Sequence, residues 1–109
     1  SAFAETLTKN KVLQKLDIHS NQIGNKGATK LAESLRHNTS LTELCMNRNL
    51  IEWEGALAFA DALHTNTTLK ILYLGINSFE FDEFHDHLTS ERQRETICEF
   101  EFDESYDVQ

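Results

Sequence analysis

The sequence predicts an α/β solenoid in which short parallel strands line an inner, concave wall and helices form the outer, convex one. Two observations carry that expectation. The chain of 109 residues matches itself, without a gap, at a spacing of 28 residues, which is the mark of a stacked array. Within each unit the apolar residues also change period, from alternation near the end of the first half to helical intervals in the second.

Three columns of the first half are apolar in every copy. Leu13, Leu41, Leu69 and Ile97 make one, Leu16, Leu44, Leu72 and Phe100 the next, and Ile18, Met46, Leu74 and Phe102 the third. Alternation at the end of this stretch suits a strand with one buried face. Asn21, Asn49 and Asn77 form a polar column, with Ser105 as its fourth member, and Ile23, Ile51 and Phe79 follow two residues later. A polar column this regular points to a role in holding backbone.

The second half repeats too: Gly27 aligns with Gly55, Ala28 with Ala56, Leu31 with Phe59, Ala32 with Ala60 and Leu35 with Leu63. Steps of one, three and four put these residues on one helical stripe. Each strand and helix is too short to hide its apolar face alone, so the units must stack, strand beside strand. Helices are wider than the roughly 4.8 Å strand spacing, so the stack curves with its strands inside.

Taken in order, residues 1–12 read as the helix of a partial repeat, because Phe3, Ala4, Leu7 and Asn10 hold the columns of Leu31, Ala32, Leu35 and Asn38. Residues 13–40 and 41–68 are full repeats. Residues 69–96 form a divergent one, whose helix recovers a stripe from Phe81, Phe84 and Leu88 only when shifted by one position, and whose polar stretch from Thr89 to Glu95 reads as a frayed helix end and loop. Residues 97–109 are a terminal strand and an acidic cap. The whole is a single domain of about three and a half units.

The pattern L13-x-x-L16-x-I18-x-x-N21-x-I23-G24-x-x-G27-A28-x-x-L31-A32-x-x-L35-x-x-N38 resembles the ribonuclease-inhibitor class of leucine-rich repeat. The same form occurs in NOD-like receptors, in tropomodulin-like actin-capping proteins and in the activator of the Ran GTPase. The resemblance covers residues 1–79, and residues 80–109 through the last strand only. It implies a right-handed horseshoe and a partner held on its concave face. Those families share a scaffold and little else, so the resemblance speaks to fold more than to function.

Charge is split along the chain. Residues 1–79 hold eight Lys or Arg and seven Asp or Glu, whereas residues 80–109 hold two Arg and eleven acids, so the net charge of -8 sits at the C-terminal end. This balance disfavours nucleic acid. It suits either a dock for a partner with a basic patch or a charged guard on an exposed edge strand. No apolar run approaches the roughly 20 residues needed to cross a bilayer, and no membrane partner is expected.

Cys45 and Cys98 fall in the second and fourth strands, on the order of 10 Å apart by strand spacing, too far for a disulfide. Two thiols suit a cytoplasmic protein. Asn38-Thr39-Ser40 and Asn66-Thr67-Thr68 match a glycosylation acceptor, but the plain reading is a helix C-terminus where Asn takes a left-handed conformation.

Side chains between the strand leucines face the concave wall: Lys15, Asp17 and His19; Glu43, Cys45 and Asn47; Ile71, Tyr73 and Gly75; Glu99, Glu101 and Asp103. They are the candidate partner-binding residues. Tyr73 is either the anchor of a contact or an ordinary strand residue. Trp53, where the previous unit has Asn25, is either an exposed contact or packing. The set Asp82, Glu83, His85, Asp86 and His87 invites a metal, yet histidines two apart on a helix turn to different faces, so no metal or other cofactor is expected.

No phosphate loop, nucleophile elbow or paired-cysteine motif is present. The chain reads as a protein-interaction module and not an enzyme, the C-terminal part of a larger protein. The alternative is a regulator on the same scaffold, capping actin or activating a GTPase, with Arg48 the arginine to test.

Overall fold

Residues 2–99 are described in the computed structural model. Along them run α1 (Ala2–Lys9), β1 (Lys15–Asp17), α2 (Gly24–Leu35), β2 (Glu43–Cys45), α3 (Trp53–Ala62), β3 (Ile71–Tyr73), α4 (Phe81–Asp86), α5 (Glu91–Thr96) and β4 (Ile97–Cys98). The strands form one sheet in chain order, and each neighbouring pair is parallel. Parallel neighbours need a crossover, which α2, α3 and the α4–α5 pair supply.

Register follows the leucine columns across the first three strands. Leu16 pairs with Leu44 and Leu44 with Leu72, flanked by Lys15, Glu43 and Ile71 on one side and Asp17, Cys45 and Tyr73 on the other. Leu44 and Leu72 are fully buried, and they share a single core with Leu31 and Leu35 of α2, Phe59 of α3 and Phe84 of α4. A buried leucine of this kind contributes roughly 1.5–3 kcal/mol, so the ladder is the main cohesive force between units.

The fourth strand departs from the expected register. Leu72 pairs with Ile97 and Tyr73 with Cys98, so Ile97 stands in the column expected for Phe100, three residues out of phase. The reason lies in the preceding helices. The chain returns through two short helices, α4 and α5, and reaches the sheet edge three residues sooner than one longer crossover would.

The frayed end expected from Thr89 to Glu95 is also corrected, since α5 occupies most of it. Its N-terminus carries a reciprocal cap, in which the Ser90 hydroxyl accepts from the Gln93 backbone N–H and the Gln93 side chain accepts from the Ser90 N–H. Such a cap satisfies two donors that a helix start leaves open. The buried Gln93 amide then donates to the Ala60 carbonyl at 2.8 Å, and Arg92 Nη2 donates to the carbonyls of Asn66 and Leu69. Polar contacts replace the apolar stripe that the sequence lacks.

Two asparagine ladders run through the stack. The Asn49 side chain accepts the Asn21 N–H at 2.7 Å and donates to the Ile18 carbonyl at 3.0 Å. Asn77 repeats the pattern one unit on, accepting from Asn49 and Ile51. Asn38 and Asn66 make the second ladder. Their amides donate to carbonyls of the preceding unit, and their oxygens accept the N–H groups of Ser40 and Leu41, and of Thr68 and Leu69.

This corrects the expected left-handed conformation. Among the described residues, the non-glycine positions at positive φ are Ser20, Gln22, Arg48, Leu50 and Ile76. Asn38 and Asn66 are buried, with both amides committed to backbone, so the folded chain offers neither to a sugar.

Candidate partner-binding face of the sheet

Lys15 and Asp17 flank Leu16, and strand alternation turns them away from the core onto the open face. Both side chains are exposed. Lys15 Nζ lies 3.8 Å from Glu43 Oε1, across β1 and β2, and His19 Nδ1 lies 2.7 Å from Asp17 Oδ1. The hydrogen bond from His19 holds the Asp17 carboxyl below the ordinary aspartate range, with smaller help from the His19 backbone N–H and the Cys45 thiol, against desolvation.

Lys15, Asp17 and His19 are exposed, while Glu43, Asn47 and Ile71 are half-buried. Asn47 is partly committed, because its Oδ1 accepts the Gly75 N–H at 2.6 Å. Cys45 is 5 % exposed and Tyr73 8 %, so the middle of the expected surface is buried and Tyr73 offers little contact area. Glu99 follows β4, half-buried, whereas the residue beside Tyr73 is Cys98. Glu101 and Asp103 lie outside the described residues.

Both cysteines are thiols, and neither forms a disulfide. Burial pushes the Cys98 thiol up from its ordinary range. Asp17, His19 and Cys45 bring one ligand atom each to within 4.8 Å of one another, a grouping that the sequence reading did not single out. The β1–β2 register already placed Asp17 beside Cys45, so the signal was there.

Beyond the strands the chain turns through left-handed residues. Ser20, Arg48 and Ile76 hold one column at φ of 61°, 61° and 52°, and Gln22 and Leu50 hold a second. A β-branched residue at positive φ is an outlier. Here the Asn77 amide fixes the loop by donating to the carbonyls of Met46, Leu74 and Gly75. Leu50 and Ile76 are 57 % and 50 % exposed. Sequence reasoning passed over both, although each is apolar in a column otherwise occupied by Gln22 and Ser78 or by Ser20 and Arg48.

Trp53 packs and does not project. Its ring meets Phe84 and His87 edge-on, with centroids 5.3 and 5.2 Å away. His85 stacks on Phe81 and bonds the Arg94 carbonyl through Nε2 at 2.8 Å. The two histidines of α4 and its C-terminal edge therefore serve the join between α3, α4 and α5. Asn25, whose place Trp53 takes, caps α3 from the previous unit: its Oδ1 accepts from Glu52 and Gly55, and its amide donates to Glu52.

A family model described as Leucine Rich repeat matches residues 9–32 and 37–60. No curated protein matches the chain. Among solved structures, leiomodin-1 actin-binding site 2 is similar over 92% of this chain, at a TM-score of 0.77 and 23% identity. The tropomodulin C-terminal domain of Caenorhabditis elegans is similar over 92%, at a TM-score of 0.72 and 16% identity. The chain spans 60% and 61% of the lengths of those two structures, and at these identities the likeness speaks to fold. The repeat matches, the parallel sheet and the leucine ladder agree: residues 9–32 and 37–60 carry leucine-rich repeats, on a fold similar to that of the two solved structures.

Proposed function

We propose that this chain is a protein-binding module that holds its partner on the open face of the sheet, the concave wall of a right-handed horseshoe. The observation that carries the reading is the row formed by Lys15, Asp17, His19 and Glu43, polar and reachable on strands whose other face is locked into the core. Rigid strands hold such side chains in fixed geometry, so little ordering entropy opposes binding. Asp17, Glu43 and Glu99 give the face an acidic balance that suits a basic patch. The reading goes with a cytoplasmic location, supported by the two thiols. No helix of the described residues is long and apolar enough to cross a membrane.

Actin is the first partner to test, because the fold is shared with a structure of leiomodin-1 actin-binding site 2. The experiment is a titration of fluorescently labelled actin monomer with the chain, with a Lys15→Glu/Asp17→Lys double variant and with Lys30→Glu on α2. The reading expects binding that the double variant weakens at least about tenfold, roughly the loss of one well-placed contact, and that Lys30→Glu leaves unchanged. Binding untouched by the double variant rejects the face, and no binding by the parent chain rejects actin.

A further inference from the structure

The open face also brings together three donor atoms of different chemistry, two of them on residues of the proposed binding row. Asp17 ends β1 and pairs in register with Cys45 at the end of β2. His19 follows two residues after Asp17 and turns back to it, bringing Nδ1 to 2.7 Å from Oδ1. A carboxylate oxygen, an imidazole nitrogen and a cysteine sulfur then lie within 4.8 Å of one another. Cys45 is buried, whereas Asp17 and His19 are exposed, so the three form a cup with sulfur at the floor and solvent at the mouth.

The donor chemistry selects the ligand. Calcium and magnesium take oxygen donors almost exclusively. Sulfur, nitrogen and oxygen together suit zinc and its borderline-soft neighbours, which bind thiolate, imidazole and carboxylate in tetrahedral geometry. Metal–ligand bonds of about 2.0–2.3 Å put the ligand atoms of such a site roughly 3.3–3.8 Å apart. Reaching that spacing means opening the Asp17–His19 bond and closing the longer separations by about an ångström, within the reach of side-chain torsions. The backbone need not move, since Asp17 and Cys45 are already fixed by strand pairing.

We propose that Asp17 Oδ1, His19 Nδ1 and Cys45 Sγ bind one zinc-class divalent cation. Three protein ligands leave a fourth position facing solvent, the open arrangement of a site that can accept water or a ligand from a partner. Binding is coupled to proton release. The Cys45 S–H proton passes to water as the sulfur–metal bond forms, and the His19 Nδ1 must be free of its proton, held on Nε2 instead. The site shares Asp17 and His19 with the proposed partner-binding row, but the inference rests on their donor geometry with Cys45 and not on that reading.

The test is titration of the full chain, reduced and metal-free, with Co²⁺ as a spectroscopic probe, followed by displacement with Zn²⁺. The expected result is one equivalent bound, with a thiolate-to-cobalt charge-transfer band that zinc abolishes. That band should vanish in Cys45→Ser and persist in Cys98→Ser. Should Cys45→Ser fail to fold, His19→Ala carries the test, since His19 is exposed and its removal leaves the core intact. It should weaken cobalt binding by more than the roughly 10–100-fold that loss of an outer-shell partner brings. Absence of a thiolate band in the parent chain, a band retained in Cys45→Ser, or unchanged affinity in His19→Ala overturns the proposal.

Discussion

The side-chain oxygen of Asn49 accepts the backbone N–H of Asn21 at 2.7 Å, across 28 residues of sequence. Asn49 is 0 % exposed, and the same side chain also bonds Ile23, Ile18 and Asn47. One residue therefore satisfies the turning backbone of two units at once. Asn49→Ala leaves buried N–H and C=O groups unpaired, and the expected cost is about 2–4 kcal/mol. Urea denaturation checks it. Asn21→Ala, at the exposed end of the ladder, should cost under about 1 kcal/mol, as a solvated group finds water.

The start of α3 tolerates no added carbon. A Cβ at Gly55 would come within 2.7 Å of Asn25 Oδ1 and 2.8 Å of Ile51 Cγ2, and Asn25 Oδ1 is the atom that accepts the Gly55 N–H. Gly55→Ala should destabilise by about 1–3 kcal/mol through overpacking. Gly24, at φ +68 with open space around it, should show only the roughly 1–2 kcal/mol cost of a side chain in the left-handed region. Thermal melts of the two variants compare clash with backbone strain.

Arg92 closes the second asparagine ladder. Its Nη2 donates to the carbonyls of Asn66 and Leu69 at 2.7 and 3.1 Å, where a further asparagine would serve if the pattern of Asn38 and Asn66 continued. Arg92→Ala should cost about 1.5–3 kcal/mol, as for a hydrogen bond to a charged donor. Hydrogen exchange should locate the loss in α5 and β4 while α2 keeps its protection.

The depressed Asp17 carboxyl sets a pH dependence. Its largest cause is the His19 side-chain hydrogen bond, which favours the charged form. A folded value lowered from the ordinary 3.8 means that the stabilisation is present above 3.8 and disappears as pH falls through the lower folded value. Carboxyl NMR titration should find Asp17 below 3.8 in the parent chain and shifted upward in His19→Ala. An Asp17 that titrates at the ordinary value in both would show that the contact does not persist in solution.

The first three strands were legible because Leu16, Leu44 and Leu72 each had one register that turned them toward the core, and any slip would have turned leucine outward. Ile97 had two. Ile97, Phe100 and Phe102 satisfy the apolar pattern at the expected phase, and Ile97 alone satisfies it three residues earlier, so period could not decide. The helix α5 was invisible for a different reason. Apolar periodicity reports burial of carbon, whereas Gln93 and Arg92 are held by hydrogen bonds, and the Ser90–Gln93 spacing was the one signal of a helix start. On the candidate face, Lys15 and Asp17, which alternation turns outward, are exposed. Alternation could not show that Cys45 and Tyr73 are buried, nor that the His19 ring folds back onto Asp17, because both depend on packing beyond the strand itself.

The register between units, and with it the identity of the residue beside Tyr73, is reported by three of the backbone hydrogen bonds that join neighbouring strands: Ile18 N–H to the Cys45 carbonyl, Met46 N–H to Tyr73 and Leu74 N–H to Cys98. Scalar couplings across hydrogen bonds, read by NMR on the isotopically labelled chain, observe these pairs directly. The account predicts cross-peaks joining 18 to 45, 46 to 73 and 74 to 98. A Leu74 cross-peak to Glu101, or none linking the first two pairs, would contradict it.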